Sequence, residues 1–96
     1  MANSNTDKLT LLLRSALEEK SRRKALLAEF QRIVWDAPPD FFIRAEEEIF
    51  GDLAYDLDFY EPNVNARQED ESYYGDDRLE EIIEHALREL DGLHQS

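Results

Sequence analysis

The sequence predicts a single all-α domain, an antiparallel four-helix bundle, from three observations. The chain has 96 residues and no cysteine, so one modest core without disulfides must hold it together. Apolar residues recur at helical spacing in four stretches, and none alternates with the period of a strand. All but one of the connections are short, which favours antiparallel neighbours. We predict helices over residues 6–19, 21–35, 39–59 and 77–91, and an acidic loop over residues 61–76.

The first two predicted helices rest on apolar residues three and four positions apart. These stripes are Leu9, Leu12, Leu13, Ala16 and Leu17 in the first helix, and Leu26, Leu27, Phe30, Ile33 and Val34 in the second. Ser4 or Thr6 is the predicted cap of the first helix, and Ser21 that of the second. The second helix is predicted to end before Pro38, because proline disfavours helical geometry in the residue that precedes it.

The basic run Arg22-Arg23-Lys24 opens the second predicted helix. Three adjacent cations can neutralise phosphates, but this run lacks interleaved aromatic residues and belongs to a strongly anionic chain. We therefore interpret it as a solvated face, paired with acidic residues of the third helix.

The third and last predicted helices carry the clearest apolar stripes. In the third, Ile49, Leu53 and Leu57 recur every fourth residue, and the last carries Leu79, Ile82, Ile83, Ala86, Leu87 and Leu90. Gly92 is the predicted C-terminal stop of the last helix.

Charge divides the chain into two unequal parts. Residues 1–35 hold seven basic and four acidic residues, for a net charge of +3, whereas residues 36–96 hold four basic and 19 acidic residues, for −15. Such a field repels nucleic acid and membrane surfaces and attracts basic proteins, although acidity can also serve solubility alone. Because no basic start leads into an apolar run and no stretch is long and apolar enough to span a membrane, we predict a cytoplasmic protein.

Patterns for catalysis and for metal or cofactor binding are missing from the sequence. The acidic segment near Asp56 lacks the glycine of a calcium loop, and His85 lacks the glutamate three residues before it that a di-iron bundle needs. His85 is predicted to be a surface histidine. We predict no enzyme, no cofactor, no metal site and no small-molecule substrate.

Two short segments resemble a known family. Glu47-Glu48-Ile49-Phe50 and the later Phe59-Tyr60-Glu61-Pro62-Asn63 look like the central signature of the colicin D immunity proteins and related bacterial self-protective immunity domains. The resemblance implies an inhibitor that neutralises a cognate nuclease toxin. That toxin is implied to be a tRNA-cleaving ribonuclease, from a bacteriocin or a contact-dependent inhibition system, whose basic active-site cleft is covered by an acidic helix face.

Helical phase and this resemblance together give a predicted contact set, with Asp56, Asp58 and Glu61 as its phosphate-mimicking centre. The set consists of Glu47, Glu48, Asp52, Asp56, Asp58, Tyr60, Glu61, Tyr73 and Tyr74. Two alternatives stay open: Tyr73 and Tyr74 cover the core instead of anchoring a partner, and the acids are simply solvated. The alternative function is that of a small acidic interaction or adaptor module, either as a monomer or as a homodimer.

Overall fold

A computed structural model describes residues 4–69 and 71–94, and these residues form α helices without any strand, which confirms the all-α prediction. The helices are α1 (Ser4–Glu18), α2 (Arg23–Asp36), α3 (Arg44–Leu57), α4 (Val64–Arg67) and α5 (Asp76–His94). A 3₁₀ turn, Lys20–Arg22, joins α1 to α2.

The core lies between the four long helices. α1 packs on α2, α2 on α3, α3 on α5, and α5 on α1. Phe50 is fully buried, and its ring centroid lies 5.8 Å from that of Phe30 and 5.1 Å from that of Phe42. The buried apolar residues are Leu9, Leu13, Ala16, Leu27, Phe30, Phe42, Phe50, Leu53, Ala54, Leu57, Leu79, Ile83, Ala86, Leu87 and Leu90. Most of them belong to the predicted stripes, because each helix buries the face on which its apolar residues recur.

The corner between α2 and α3 is longer than predicted. α3 begins at Arg44, not near residue 39, because residues 38–43 turn back on themselves. The amide of Phe41 donates to the Pro38 carbonyl at 3.1 Å, and Asp40 has a positive φ of 67°. Aspartate tolerates this left-handed geometry better than most residues. The Glu46 carboxylate accepts a long bond from the Ile43 amide at 3.4 Å and so fixes the start of α3.

The segment after α3 contains a short helix and a bridge, where the sequence predicted only an acidic loop. α3 ends at Leu57, not at residue 59, and i to i+3 bonds such as Tyr60 N to Leu57 O at 3.2 Å tighten its exit. Tyr60 and Tyr74 then form an isolated parallel bridge. Between them lies α4, whose first amides are capped by the Asn63 side chain. The bridge holds the two ends of the segment together next to the C-terminal end of α3.

Arg23 corrects the interpretation of the basic run. Its side chain is only 1% exposed, and it pairs with α5 instead of α3. The guanidinium donates to the carboxylates of Asp76 at 2.9 Å and Glu80 at 3.1 Å. It also donates to the carbonyls of Ala16 at 2.7 Å and Leu17 at 3.1 Å, near the end of α1. Burial alone would lower the pKa of Arg23, but the bonds and charges of the two carboxylates outweigh burial and raise it.

Three helix ends also differ from the prediction. α5 passes through Gly92 and continues to His94, because a glycine within a helix costs only about 1 kcal/mol. Ser21 lies inside the 3₁₀ turn and does not cap α2. The Ser4 side chain lies outside the described part of the chain. Thr6 is within α1, where its buried hydroxyl donates to the Glu46 carboxylate at 3.0 Å.

Candidate protein-binding surface

Three carboxylates form a line along the outer side of α3. Glu48, Asp52 and Asp56 lie four residues apart, so they project from the same side of the helix, and all three are exposed. We call them the acidic row. They line an open groove of about 190 Å³ between α3 and α5, together with apolar side chains such as Leu53 and Ile82. The groove is open to solvent, which suits contact with another macromolecule.

The α5 side of this groove carries mixed charge. His85 and Glu89 lie one helical turn apart, with Nε2 and Oε1 2.9 Å from each other, and both are well exposed. The exposure of His85 agrees with the predicted surface position. Arg78 and Arg88 line the continuation of the groove past Asp56. The negative charge of the acidic row is therefore only partly balanced by α5.

Within α3 itself, the acidic row meets one cation. The Nε of Arg44 lies 3.7 Å from the Glu48 carboxylate, and the two side chains are 92% and 70% exposed. Such an exposed pair is worth at most about 1 kcal/mol. A basic partner can therefore displace Arg44 at little cost.

The other predicted acids of α3 lie away from the row. Glu47 faces the opposite side, in a groove that includes Trp35 and Pro38 of the α2–α3 corner. Asp58 lies toward α2, where its carboxylate accepts a bond from Gln31 Nε2 at 3.1 Å. The nine predicted residues therefore occupy more than one side of the molecule.

Tyr60 and Glu61 belong to the turn that follows α3. The Tyr60 hydroxyl donates to the Asp76 carboxylate at 2.6 Å, next to Arg23. Burial, helped by this bond, raises the pKa of Tyr60 to about 12, and the same bond, with Arg23, lowers the pKa of Asp76. The Glu61 carboxylate accepts from the Asn63 amide at 3.1 Å. Both side chains therefore form hydrogen bonds within the protein that stabilise the turn.

The tyrosine pair 73–74 divides between the two interpretations that the sequence left open. Tyr74 packs against the core, and its hydroxyl donates to the Asp56 carbonyl at 2.6 Å. Burial raises the pKa of Tyr74 above its ordinary value of 10.0. Tyr73 is half-buried and lines a groove at the end of α3, beside Tyr55 and Phe59. We call these three rings the aromatic groove.

Tyr55 is an exposed aromatic residue that the predicted contact set did not include. Its side chain is 64% exposed, and its ring centroid lies 5.5 Å from that of Phe59. A signal for it exists in the sequence, since Tyr55 falls outside the stripe formed by Ile49, Leu53 and Leu57. A large aromatic residue on the solvent side of an amphipathic helix is a candidate contact residue.

The acidic side chains of this surface attract cations by charge, but they do not converge as the ligands of a metal do. Within residues 4–69 and 71–94, no group of three His, Cys, Asp or Glu side chains is placed to hold a metal ion. No helix in that same part of the chain is long and apolar enough to cross a membrane.

Comparisons with protein-family models, curated protein sequences and solved structures found no match to this chain.

Proposed function

We propose that the protein is a non-catalytic inhibitor, an immunity protein that binds and neutralises a bacterial nuclease toxin with a basic active-site cleft. The observation that carries this proposal is the acidic row, with Glu48, Asp52 and Asp56 exposed on one side of a packed helix. The resemblance to the colicin D immunity proteins supports the choice of partner and of a tRNA-cleaving ribonuclease as the toxin.

The physical basis is substrate mimicry. A ribonuclease lines its cleft with cations that hold phosphates and stabilise developing charge. Neighbouring carboxylates of the acidic row are about 6 Å apart along the helix axis, since each residue of an α helix rises 1.5 Å. The row thus offers an evenly spaced line of negative charge without a bond to cleave. Packing of α3 holds that line in place, so little order has to be gained on binding.

We propose that the protein acts in the cytoplasm. A cytoplasmic inhibitor meets the toxin where its RNA substrate is, and the lack of cysteine suits a reducing compartment.

The antiparallel four-helix bundle remains our proposed arrangement of α1, α2, α3 and α5. The packing of α1 on α2, α2 on α3, α3 on α5 and α5 on α1 supports it.

The test is a pair of triple variants matched in charge. The site variant changes Glu48 to Gln, Asp52 to Asn and Asp56 to Asn. The control changes three exposed acids outside the groove, Glu84→Gln, Asp36→Asn and Asp91→Asn. Both variants remove three negative charges from a chain of net charge −12, so loss through the overall field affects both alike. The toxin is expected from the adjacent open reading frame, as a basic nuclease domain.

We expect the site variant to stay folded and to lose protection of cells that express the toxin. Each neutralised carboxylate leaves a toxin cation unpaired, at about 2–5 kcal/mol for a buried pair. The control should keep its protection. A double variant, Asp58→Asn with Glu61→Gln, should lose less than the site variant, because Asp58 is held by Gln31 and Glu61 by the Asn63 amide. If site and control variants protect equally, the proposal is wrong.

A self-associating adaptor remains the second candidate, and Trp35 is the observation that favours it. This indole is 55% exposed and lines a groove with Pro38 and Phe42, on the side of α3 that carries Glu47. Exposed tryptophan is frequent at protein interfaces. Sedimentation that shows a tight dimer, lost in Trp35→Ala, would favour the adaptor over the inhibitor.

A further inference from the structure

The aromatic groove combines three aromatic side chains, of which Tyr55 is 64% exposed, with negative charge. Asp56 and Glu71, both exposed, line it together with the three rings. Arg78 lines it as well and lies 3.3 Å from the exposed Glu81 carboxylate, so two carboxylates and one guanidinium leave the groove with a net charge of −1. The faces of aromatic rings attract cations through the ring quadrupole, and nearby carboxylates strengthen that attraction. The charge of the groove therefore complements a cationic side chain.

Contacts within the chain hold the groove in shape. The Tyr74 hydroxyl donates to the Asp56 carbonyl at 2.6 Å, and the Tyr74 amide donates to the Phe59 carbonyl at 3.0 Å. These bonds tie the segment that carries Tyr73 to the end of α3, which carries Tyr55. A groove whose walls are already fixed needs little ordering when it binds.

Arginine suits this groove better than lysine. The guanidinium is planar and weakly hydrated, so it can stack on a ring and still pair with a carboxylate at its edge, whereas an ammonium is a strongly hydrated point charge. The groove is also open to solvent, unlike the enclosed sites that hold small ligands. Its occupant therefore belongs to a larger partner that makes further contacts outside the groove.

We propose that the aromatic groove binds an arginine side chain of a basic protein partner, with the guanidinium stacked on Tyr55 and paired with Asp56. This inference rests on the proposed function, since Asp56 belongs to the acidic row and the arginine is therefore one of the cations of the partner that the row contacts. It adds Tyr55, Phe59 and Glu71 to the predicted contact set and assigns Tyr73 a role as one wall.

The experiment compares hexa-arginine and hexa-lysine peptides as probes of the purified chain at low salt, followed by nuclear magnetic resonance of the aromatic side chains. We expect hexa-arginine to shift the ring signals of Tyr55, Phe59 and Tyr73, and to bind more tightly than hexa-lysine. Tyr55→Leu should weaken hexa-arginine binding about two- to fivefold, the range of an exposed cation–π contact. It should leave hexa-lysine binding unchanged. Leu11→Ala, which truncates a side chain as exposed as that of Tyr55 but on α1, should change neither.

Equal binding of the two peptides, or ring signals that stay still, would overturn the arginine assignment. So would equal effects of Tyr55→Leu and Leu11→Ala. The peptides need no toxin, so the outcome is separable from the proposed function. A chain that protects cells through the acidic row but fails this test loses only the arginine assignment. If hexa-arginine binds as expected but the protein does not neutralise a nuclease, the proposed function is wrong and the arginine assignment of the aromatic groove stands.

Discussion

Replacing Arg23 by alanine should remove a large part of the stability of this protein. The side chain is 1% exposed and reaches two carboxylates of α5 and two carbonyls near the end of α1. Breaking a fully buried ion pair costs about 3–5 kcal/mol. Here Asp76 and Glu80 are 47% and 33% exposed, so they regain water and the cost on their side is smaller. The Ala16 and Leu17 carbonyls, which lose their donor, cost about 1–3 kcal/mol each.

We therefore expect Arg23→Ala to lower the free energy of unfolding by about 3 kcal/mol. For a domain of this size, that corresponds to a fall of roughly 12–24 °C in melting temperature. Urea unfolding followed by far-ultraviolet circular dichroism measures the change directly. Arg23→Lys should recover part of the loss, because an ammonium keeps the charge but not the fork of donors.

Arg22→Ala is the matched control for this prediction. Arg22 precedes Arg23 in the chain, but its side chain is 67% exposed and lies 3.7 Å from the exposed Glu19 carboxylate. Its loss should change stability by about 0.5 kcal/mol or less. If the Arg22 and Arg23 variants unfold at the same urea concentration, the buried network does not stabilise the fold and the reasoning fails.

The remaining predictions concern pH and packing. The pKa of Asp76 lies below its ordinary value of 3.8, so its contribution to stability is present above about pH 4 and is lost as the pH falls below it. Asp76→Asn should therefore lose less stability than the parent between about pH 6 and pH 3 in urea unfolding. The pKa of Tyr60 is raised from 10.0 to about 12, so the contribution of its hydroxyl to stability is complete below pH 10 and is lost as the pH rises toward 12. Tyr60→Phe should therefore abolish this part of the stability loss at alkaline pH. An equal loss in the parent and the variant would contradict the assignment. Phe50→Ala should lower the free energy of unfolding by about 3–5 kcal/mol. Leu11→Ala, at a side chain that is 64% exposed, should change it by no more than about 0.5 kcal/mol. Similar losses in the two variants would refute the assigned core.

The candidate surface was only partly predictable. Helical phase places Glu48, Asp52 and Asp56 on one side of α3, and that much follows from residues four apart. The roles of Asp58 and Glu61 depended on the exact end of the helix. α3 ends at Leu57, so both acids lie beyond its regular turns and meet partners of their own.

The sequence alone determined the all-α class, the apolar stripes and the location of the acidic charge, because helical periodicity and composition are local properties. Only the tertiary structure decided that Arg23 is buried while its neighbour Arg22 is exposed. Its carboxylate partners, Asp76 and Glu80, are more than 50 residues away. The tertiary structure likewise places Tyr73 at the end of α3, because the bridge between Tyr60 and Tyr74 holds the neighbouring residue there. Such pairings depend on how helices pack, and no local pattern in the sequence encodes which distant residue a side chain will meet.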